Sequence, residues 1–213
     1  FDLDGTLIDH FSAIHRGVVY AQRELGLPES DYPTVRSTVG GSVPITLGKL
    51  CGIEHVKAAE PIFKKHFAEI MYDDVEALPG SAELLKQLKF KGYKLAVFTN
   101  KYEVHAEAIL KHLGLTGHLD DVIGTGHGHE LRKPDPRFTM EALERMDCAS
   151  DEAIMIGDSP YDYAAAEAGC HPCYLVATGS HSIAKLYEET NATGIYHDLI
   201  ELGHELFRIP LSK

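Results

Sequence analysis

Two aspartates near the start of the chain have a spacing that suits catalysis. Asp2 and Asp4 stand on either side of Leu3 and are followed by Gly5. In an extended chain, side chains two residues apart point to the same side, about 7 Å apart at ~3.3 Å per residue. One carboxylate can then act as a nucleophile while the other moves a proton. Asp-Gly is also a common turn dipeptide, so this pair alone leaves a solvated turn open.

Two further motifs carry polar side chains that suit phosphate chemistry. Thr99 and Asn100 follow the apolar run 95–98 and offer a hydroxyl and an amide to phosphate oxygens. Lys133 precedes Pro134, which favours an extended backbone at the lysine. A cation held there can neutralise carboxylates and a phosphate. Taken alone, the Thr99-Asn100 pair is typical of a turn, and Lys133 is typical of a lysine on the surface.

A second acidic pair, Asp158 and Asp162, follows another apolar run. Ser159 suits the N-cap of a helix that begins at Pro160. Asp158 then lies at the tip of a strand and Asp162 in the first helical turn, where positions four apart approach one face. Two converging carboxylates repel each other unless a cation lies between them, and Mg²⁺ prefers oxygen ligands and bridges to phosphate. Simple helix capping is the alternative for this motif.

The elements that must position these residues alternate regularly after Leu78. Apolar runs typical of buried strands occur at 95–98, 122–123, 153–156 and 174–176. Amphipathic stretches typical of helices occur at 80–91, 103–113, 136–147 and 160–168. This alternation predicts an α/β fold, with a doubly wound, Rossmann-like parallel sheet covered on both faces. Open sheets of this kind bind ligands at the carboxyl ends of their strands, where the polar motifs lie.

Residues 10–75 have a different pattern, with helical periodicity at 11–25, 43–51 and 56–72 and no convincing strand. We therefore predict an α/β core formed by residues 1–9 and 76–213, with an inserted α-helical cap over residues 10–75. Pro79 and Gly80 mark the return to the core. Because a strand needs ~3–10 residues, we also expect residues before Phe1 in the natural chain.

Composition narrows the function classes. The formal net charge of −12 argues against nucleic acid as a partner, because phosphate backbones require clustered lysine and arginine. No apolar run approaches the ~20 residues that a membrane-spanning helix needs, so no membrane partner is expected. With no secretion signal, we predict a cytoplasmic protein. The acidic surface is compatible with a monomer or a homodimer.

Together, the four motifs and their order resemble the haloacid dehalogenase superfamily, in the branch with a helical cap inserted after the first motif. The resemblance covers nearly the entire chain. Within that branch the sequence is most similar to phosphoglycolate-phosphatase-like hydrolases, through its general layout and the cap segment 35–40. The acid at Asp4 favours phosphoryl transfer over dehalogenation, because a halide leaves without a proton.

The resemblance implies a catalytic mechanism. Asp2 attacks the phosphorus and forms an aspartyl phosphate, while Asp4 protonates the departing alkoxide and then activates water. Mg²⁺ is held by Asp2, the backbone carbonyl of Asp4 and Asp158, with Asp162 supporting it directly or through water. Lys133 orients Asp2 and offsets the charge of the phosphate. Phosphoryl transfer of this kind depends on positioning and on charge stabilisation.

The resemblance also implies residues that bind the substrate. Thr99 and Asn100 are expected to bind the phosphoryl oxygens. In the cap, Arg36 can pair with a substrate carboxylate, for which a surface arginine is the alternative. Gly41 can allow close approach of the backbone, for which a plain turn between helices is the alternative. The predicted substrate is a small phosphomonoester, either a phosphoglycolate-like acid or a sugar phosphate.

Two other functions stay open from the sequence. A phosphomutase of the β-phosphoglucomutase kind uses the same core and differs in the group that attacks the intermediate. A non-catalytic binding or regulatory protein on this fold is the second alternative, against which the intact set of acids and the lysine argue. His127 and His129 form a pair with the spacing of transition-metal ligands, for which a polar loop is the alternative.

Overall fold

The computed structural model describes residues 1–126 and 131–212. The strands are β1 (Ile8–Asp9), β2 (Glu76–Ala77), β3 (Ala96–Tyr102), β4 (Asp121–Thr125), β5 (Met155–Gly157), β6 (Cys173–Val176) and β7 (Gly194–Tyr196). The helices are α1 (Phe11–Glu24), α2 (Tyr32–Arg36), α3 (Val43–Cys51), α4 (Val56–Ile70), α5 (Ser81–Phe90), α6 (Glu103–His112), α7 (Pro136–Arg145), α8 (Pro160–Ala168), α9 (Ile183–Glu189) and α10 (Leu199–Phe207). None of these helices combines the length and apolar character that crossing a bilayer requires.

The first two residues join two groups of parallel strands into one sheet. Strand β3 pairs with β4, and β5 pairs with β6, which pairs with β7, all in parallel. The Phe1 amino group donates to Ala96 O at 2.9 Å, and Phe98 N donates to Phe1 O at 2.7 Å. On the other side, Asp2 N donates to Ile156 O at 2.8 Å. The sheet order is therefore β4, β3, residues 1–2, β5, β6, β7, with Asp2 at its centre.

Helices cover both faces of this sheet, as predicted for a doubly wound fold. Val97 and Ile156 pack in a buried cluster with α5, α6 and α10. Their chain neighbours Phe98 and Met155 point to the opposite face and pack against α7, α8 and α9. Successive strand residues are thus buried on alternate faces, which explains why these strands are continuous apolar runs rather than alternating ones.

The four helices α1 to α4 form a second unit with its own core. Phe11, Val18, Leu47, Phe63 and Phe67 belong to a buried cluster separate from those that cover the sheet. The most extensive contact in this unit is between the long helices α1 and α4.

Two short strands lie where the chain enters and leaves this helical unit. Strand β1 pairs antiparallel with β2, with Ile8 opposite Ala77 and Asp9 opposite Glu76. Leu78 N extends the pairing by donating to Leu7 O at 2.9 Å. The two connections therefore run side by side, close to the catalytic candidates of the first motif.

The structure corrects one prediction that bears on the site. A turn was expected directly after Phe98, but β3 continues to Tyr102. Its pairing with β4 shifts register between Phe98 and Tyr102, which leaves residues 99–101 in an irregular, bulged segment. A bulge of this kind changes the direction in which side chains point, and such bulges often lie beside active sites. The sequence pattern did not predict strand β7 or helices α2, α9 and α10.

Candidate active site

Three buried carboxylates meet at the carboxyl end of the central strands. Asp2, Asp158 and Asp162 each place one carboxylate oxygen within 4.8 Å of the others. Their exposed fractions are 6%, 2% and 0%. Asp2 comes from the central segment, Asp158 follows β5, and Asp162 lies in the first turn of α8. Helix geometry predicted the approach of Asp158 and Asp162, and the family resemblance implied that Asp2 lies beside them.

Lys133 supplies the cation in this cluster. Its Nζ donates to Asp2 Oδ1 at 2.8 Å, to Asp162 Oδ1 at 2.6 Å and to the carbonyl oxygen of Phe98 at 2.8 Å. The residue is only 1% exposed. Burial alone lowers the pKa of a lysine, but Asp162 and Asp2 outweigh it, so the pKa of Lys133 is raised above its ordinary value. The ammonium group is therefore charged and fixed in direction.

Asp162 also caps α8, so the capping interpretation of this motif is confirmed. Its Oδ2 accepts hydrogen bonds from the backbone N–H groups of Asp158 and Ser159, at 3.1 and 3.0 Å, and from Ser159 Oγ at 2.7 Å. With Oδ1 bonded to Lys133, both oxygens are engaged. This arrangement favours a supporting role at a metal through water over a direct one.

The charge of the cluster fits a divalent cation. Three carboxylates and one ammonium leave two negative charges in a buried site. Burial, followed by the charge of Asp162, raises the pKa of Asp158 well above its ordinary value. Burial is also the largest effect on Asp2, whose pKa is raised to about 6 although Lys133 opposes the shift. A hard cation among these oxygens would neutralise the excess charge, and hard cations prefer such oxygen ligands.

Asp4 lies outside this cluster and has different partners. Its two carboxylate oxygens accept hydrogen bonds from Lys101 Nζ at 3.0 and 2.8 Å. The fully buried His10 places Nδ1 3.6 Å from Asp4 Oδ1, beyond hydrogen-bond distance. Burial acts to raise the pKa of Asp4, but Lys101 and His10 together bring it below its ordinary value. Sequence reasoning missed both residues, although Lys101 directly follows the Thr99-Asn100 motif.

Comparison with known proteins agrees with this geometry. Residues 1–174 match the family of haloacid dehalogenase-like hydrolases. The chain belongs to that family. It is 34% identical to a phosphoglycolate phosphatase of Aquifex aeolicus (strain VF5) over 76% of each protein. It is 30% identical to the probable phosphatase IndB of Dickeya dadantii (strain 3937), covering 100% of this chain and 95% of that protein. As predicted, the protein is an enzyme, a phosphoric monoester hydrolase.

Solved structures also resemble this hydrolase over almost its full length. The crystal structure of a predicted phosphatase from Clostridium acetobutylicum superimposes with a TM-score of 0.90 at 27% identity, covering 98% of this chain and 97% of that one. The similarity includes the helical unit as well as the sheet. It confirms the prediction of a Rossmann-like α/β fold.

The structure assigns Asn100 of the hydrolase a different contact from the predicted one. Its Nδ2 donates to Gly40 O at 3.0 Å and to Lys133 O at 3.2 Å. Its Oδ1 accepts from Lys133 N at 2.7 Å. The amide, expected to bind phosphate, is therefore used to hold the Lys133 backbone and the cap. Thr99 is 2% exposed, and its Oγ1 accepts from Lys101 N at 3.2 Å, which leaves the hydroxyl hydrogen free to donate.

Arg36 of the hydrolase is also placed differently from the prediction. Its guanidinium donates to Thr178 O at 3.0 Å and to Gly179 O at 3.2 Å, and it lies 4.8 Å from the centre of the Phe11 ring. These two bonds use two of its five N–H donors and fix the direction of the guanidinium group. In this structure Arg36 instead ties the helical unit to the loop after β6.

That loop is a part of the site that sequence reasoning missed. Asp158 Oδ2 accepts hydrogen bonds from Ser180 N at 2.9 Å and from Ser180 Oγ at 3.2 Å. A Cβ added to Gly179 would lie 1.8 Å from the same oxygen, so only glycine allows this close approach. The signal in the sequence is faint, because a Gly-Ser pair after a strand is usually a turn.

A cleft between the helical unit and the sheet opens beside Asp4. It encloses a cavity of about 50 Å³. Asp4, Asn100, Lys101, Tyr102 and His105 line its floor. The helical unit contributes Gly41 together with a mostly apolar wall: Ile14, Val18, Val39, Val43, Thr46, Leu47, Phe63 and Phe67. The residues His127 and His129 lie outside the described residues.

Proposed function

We propose that this enzyme hydrolyses a small phosphomonoester with Asp2 as the nucleophile and Mg²⁺ as the cofactor. The observation that supports this most strongly is the contact of one buried lysine with both Asp2 and Asp162. It fixes one oxygen of Asp2 and leaves the other oxygen available for attack. Such a fixed nucleophile saves the cost of orienting it during the reaction.

In the proposed first step, Asp2 attacks phosphorus and an aspartyl phosphate forms as the alkoxide leaves. Asp4, two residues away on the cleft side, is ionised before the substrate binds because its pKa is lowered, so it passes to that alkoxide the proton that a phosphomonoester monoanion brings into the site. In the second step Asp4 takes a proton from water, which attacks the phosphorus and regenerates Asp2. Thr99 donates its hydroxyl hydrogen to a phosphoryl oxygen. Lys133 stays charged throughout and stabilises the negative charge that develops around the phosphorus.

The proposed Mg²⁺ ligands are Asp2, Asp158 and the backbone carbonyl of Asp4, with Asp162 acting through water. When bound, the metal supplies positive charge that orients and stabilises the phosphoryl oxygens. The two negative charges left over in the cluster support a divalent ion. The same proposal divides the chain into two domains. The core is formed by residues 1–9 and 76–213, and the helical cap by residues 10–75.

Phosphoglycolate is the proposed leading substrate. The support is the 34% identity to the phosphoglycolate phosphatase of Aquifex aeolicus (strain VF5). The cleft also suits a small leaving group, because its cavity beside Asp4 is only about 50 Å³. The location in the cytoplasm and the oligomeric state stay predictions.

The test measures phosphate release from 2-phosphoglycolate and from a panel of sugar phosphates with Mg²⁺. We expect release by the wild type and a loss of at least about 10³-fold in Asp2→Asn, because the nucleophile is gone. The exposed Asp151 gives a matched control, and Asp151→Asn is expected to keep wild-type activity. Equal release by Asp2→Asn and the wild type would refute the assignment of the nucleophile.

The same panel separates the alternatives. A phosphomutase would convert a hexose 1-phosphate to its 6-phosphate without free phosphate and would need a bisphosphate for activation. A binding protein would release no phosphate from any substrate while staying folded. The buried cluster of acids and lysine favours catalysis over simple binding, because buried charge is costly to maintain.

A further inference from the structure

Lys101 is a second lysine in the site with an unusual position. It lies in the bulged segment of β3 and is 9% exposed. Its Nζ lies 2.8 Å from the nearer oxygen of Asp4 and 5.1 Å from the centre of the Phe67 ring. It lines the same cleft as Asp4 and His105. A charged amino group therefore reaches the space that adjoins the proposed acid.

The hydrogen bonds of Lys101 leave one donor unused. An ammonium group has three N–H donors. Lys133 uses all three, on Asp2, Asp162 and Phe98 O. Lys101 gives two to the carboxylate of Asp4, and the described residues offer its amino group no third acceptor. The remaining N–H can therefore serve a group inside the cleft.

Geometry connects that donor to the leaving group of the substrate. In the proposed reaction the leaving oxygen lies against Asp4, since Asp4 protonates it. Lys101 Nζ is 2.8 Å from Asp4, so a substituent one carbon away from the leaving oxygen lies beside the amino group. The opposite wall is apolar, with Leu47 and Phe63, and a low-dielectric surrounding strengthens attraction between charges.

We propose that Lys101 binds a carboxylate carried by the leaving group and thereby selects small phosphorylated hydroxy acids over neutral phospho-alcohols of the same size. The inference rests on the proposed function and deepens it. It assigns recognition of the substrate carboxylate to the core of the enzyme rather than to Arg36, which is engaged with the backbone of residues 178 and 179. Lys101 is thus a specificity-determining residue.

Two substrates of matched length test the proposal. 2-Phosphoglycolate and 2-hydroxyethyl phosphate both have two carbons, and only the first has a carboxylate. We expect the wild type to prefer 2-phosphoglycolate by about 10- to 100-fold in kcat/KM, the value of a hydrogen bond to a charged group. We also expect glycolate, and not ethylene glycol, to inhibit competitively.

Variants locate the preference at Lys101. Lys101→Met is expected to bring the ratio of the two kcat/KM values close to one, and Lys101→Arg to keep part of it. Because Lys101 also contacts Asp4, activity on both substrates can fall, and the ratio is the decisive quantity. Lys64→Met is the matched control. Lys64 is paired with Glu60 at 2.7 Å and lies over the Tyr102 ring, and it does not line the cleft.

Each outcome has a distinct meaning. A wild-type ratio near one, or a Lys101→Met ratio equal to that of the wild type, overturns this proposal and leaves the proposed function intact. Asp2-dependent hydrolysis of sugar phosphates without any activity on 2-phosphoglycolate also overturns this proposal and leaves the proposed function intact. No Asp2-dependent phosphate release from any substrate overturns both. If Lys101→Met does not fold, the ratio in Lys101→Arg, the wild-type ratio and the inhibition by glycolate decide whether the proposal stands.

Discussion

Replacing Lys133 with methionine should destabilise the enzyme strongly. The change removes a buried ammonium group that donates to three acceptors and is 1% exposed. Asp2, Asp158 and Asp162 then share a buried site with no cation. Breaking a buried ion pair from one side costs about 3–5 kcal/mol, because the remaining charge stays desolvated. For a chain of this size, each kcal/mol lowers the melting temperature by about 2–4 °C, so we expect a fall of about 6–20 °C.

The assay is urea unfolding followed by circular dichroism, in buffer with a chelator so that adventitious metal does not mask the loss. Lys86→Met is the matched control, because Lys86 pairs with Glu83 at 3.4 Å and their side chains are 61% and 47% exposed. An exposed pair contributes about 0–1 kcal/mol, and Lys86→Met should stay within that range.

A double variant tests the cause. Lys133→Met combined with Asp162→Asn removes one positive and one negative charge, so the site returns to its original charge. We expect it to recover part of the lost free energy of unfolding, with a coupling of about 0.5–3 kcal/mol for residues in contact. A Lys133→Met protein within about 1 kcal/mol of the wild type would refute the reasoning, and so would a double variant as unstable as the sum of the single ones.

Two further predictions concern the groups around Asp158. At a hundredfold excess over Kd, Mg²⁺ should stabilise the wild type by about 2.7 kcal/mol, and the same Mg²⁺ concentration should stabilise Asp158→Asn much less. Calorimetry measures the thermal shift, and an equal shift in the two proteins would contradict the proposed metal ligands. Gly179→Ala should lose activity and about 1–3 kcal/mol of stability, because its Cβ would lie 1.8 Å from Asp158 Oδ2. Gly117→Ala is the control, because nothing lies within 4 Å of its added Cβ. Equal losses of activity and of stability to urea in the two variants would argue against the clash at Gly179.

The core of the fold could be predicted because its strands are buried on both faces. Val97 and Phe98 point to opposite helical layers, so both must be apolar, and the resulting run is easy to recognise. The motif at Asp158 follows such a run, residues 153–156, after Gly157, and its place was predictable from the rule that the carboxyl ends of parallel strands lie at one edge. The place of Asp2 beside it was implied by the family resemblance, because only Phe1 precedes Asp2 in the sequence.

The contacts of Asn100 and Arg36 could not be predicted, because they depend on how the helical unit sits on the core. Asn100 bonds to Gly40 O across that boundary, and Arg36 bonds to Thr178 O in the other direction. Such pairings join residues 60 and 142 positions apart, and no periodicity within one element encodes them. Lys101 was missed for a related reason, since its direction depends on the register shift of β3 rather than on its neighbours in the sequence.

The two aspartates of the first motif have opposite surroundings although they are separated by one residue. Burial and Asp162 raise the pKa of Asp2 to about 6, whereas Lys101 and His10 hold the pKa of Asp4 below its ordinary value. Each aspartate is contacted by its own lysine, and each lysine comes from a different segment of the core. Carboxyl groups that share a site and differ in surroundings can take different roles in one reaction. In the proposed function, the fold thus separates a metal side, built around Asp2, from a leaving-group side, built around Asp4, within a single stretch of three residues.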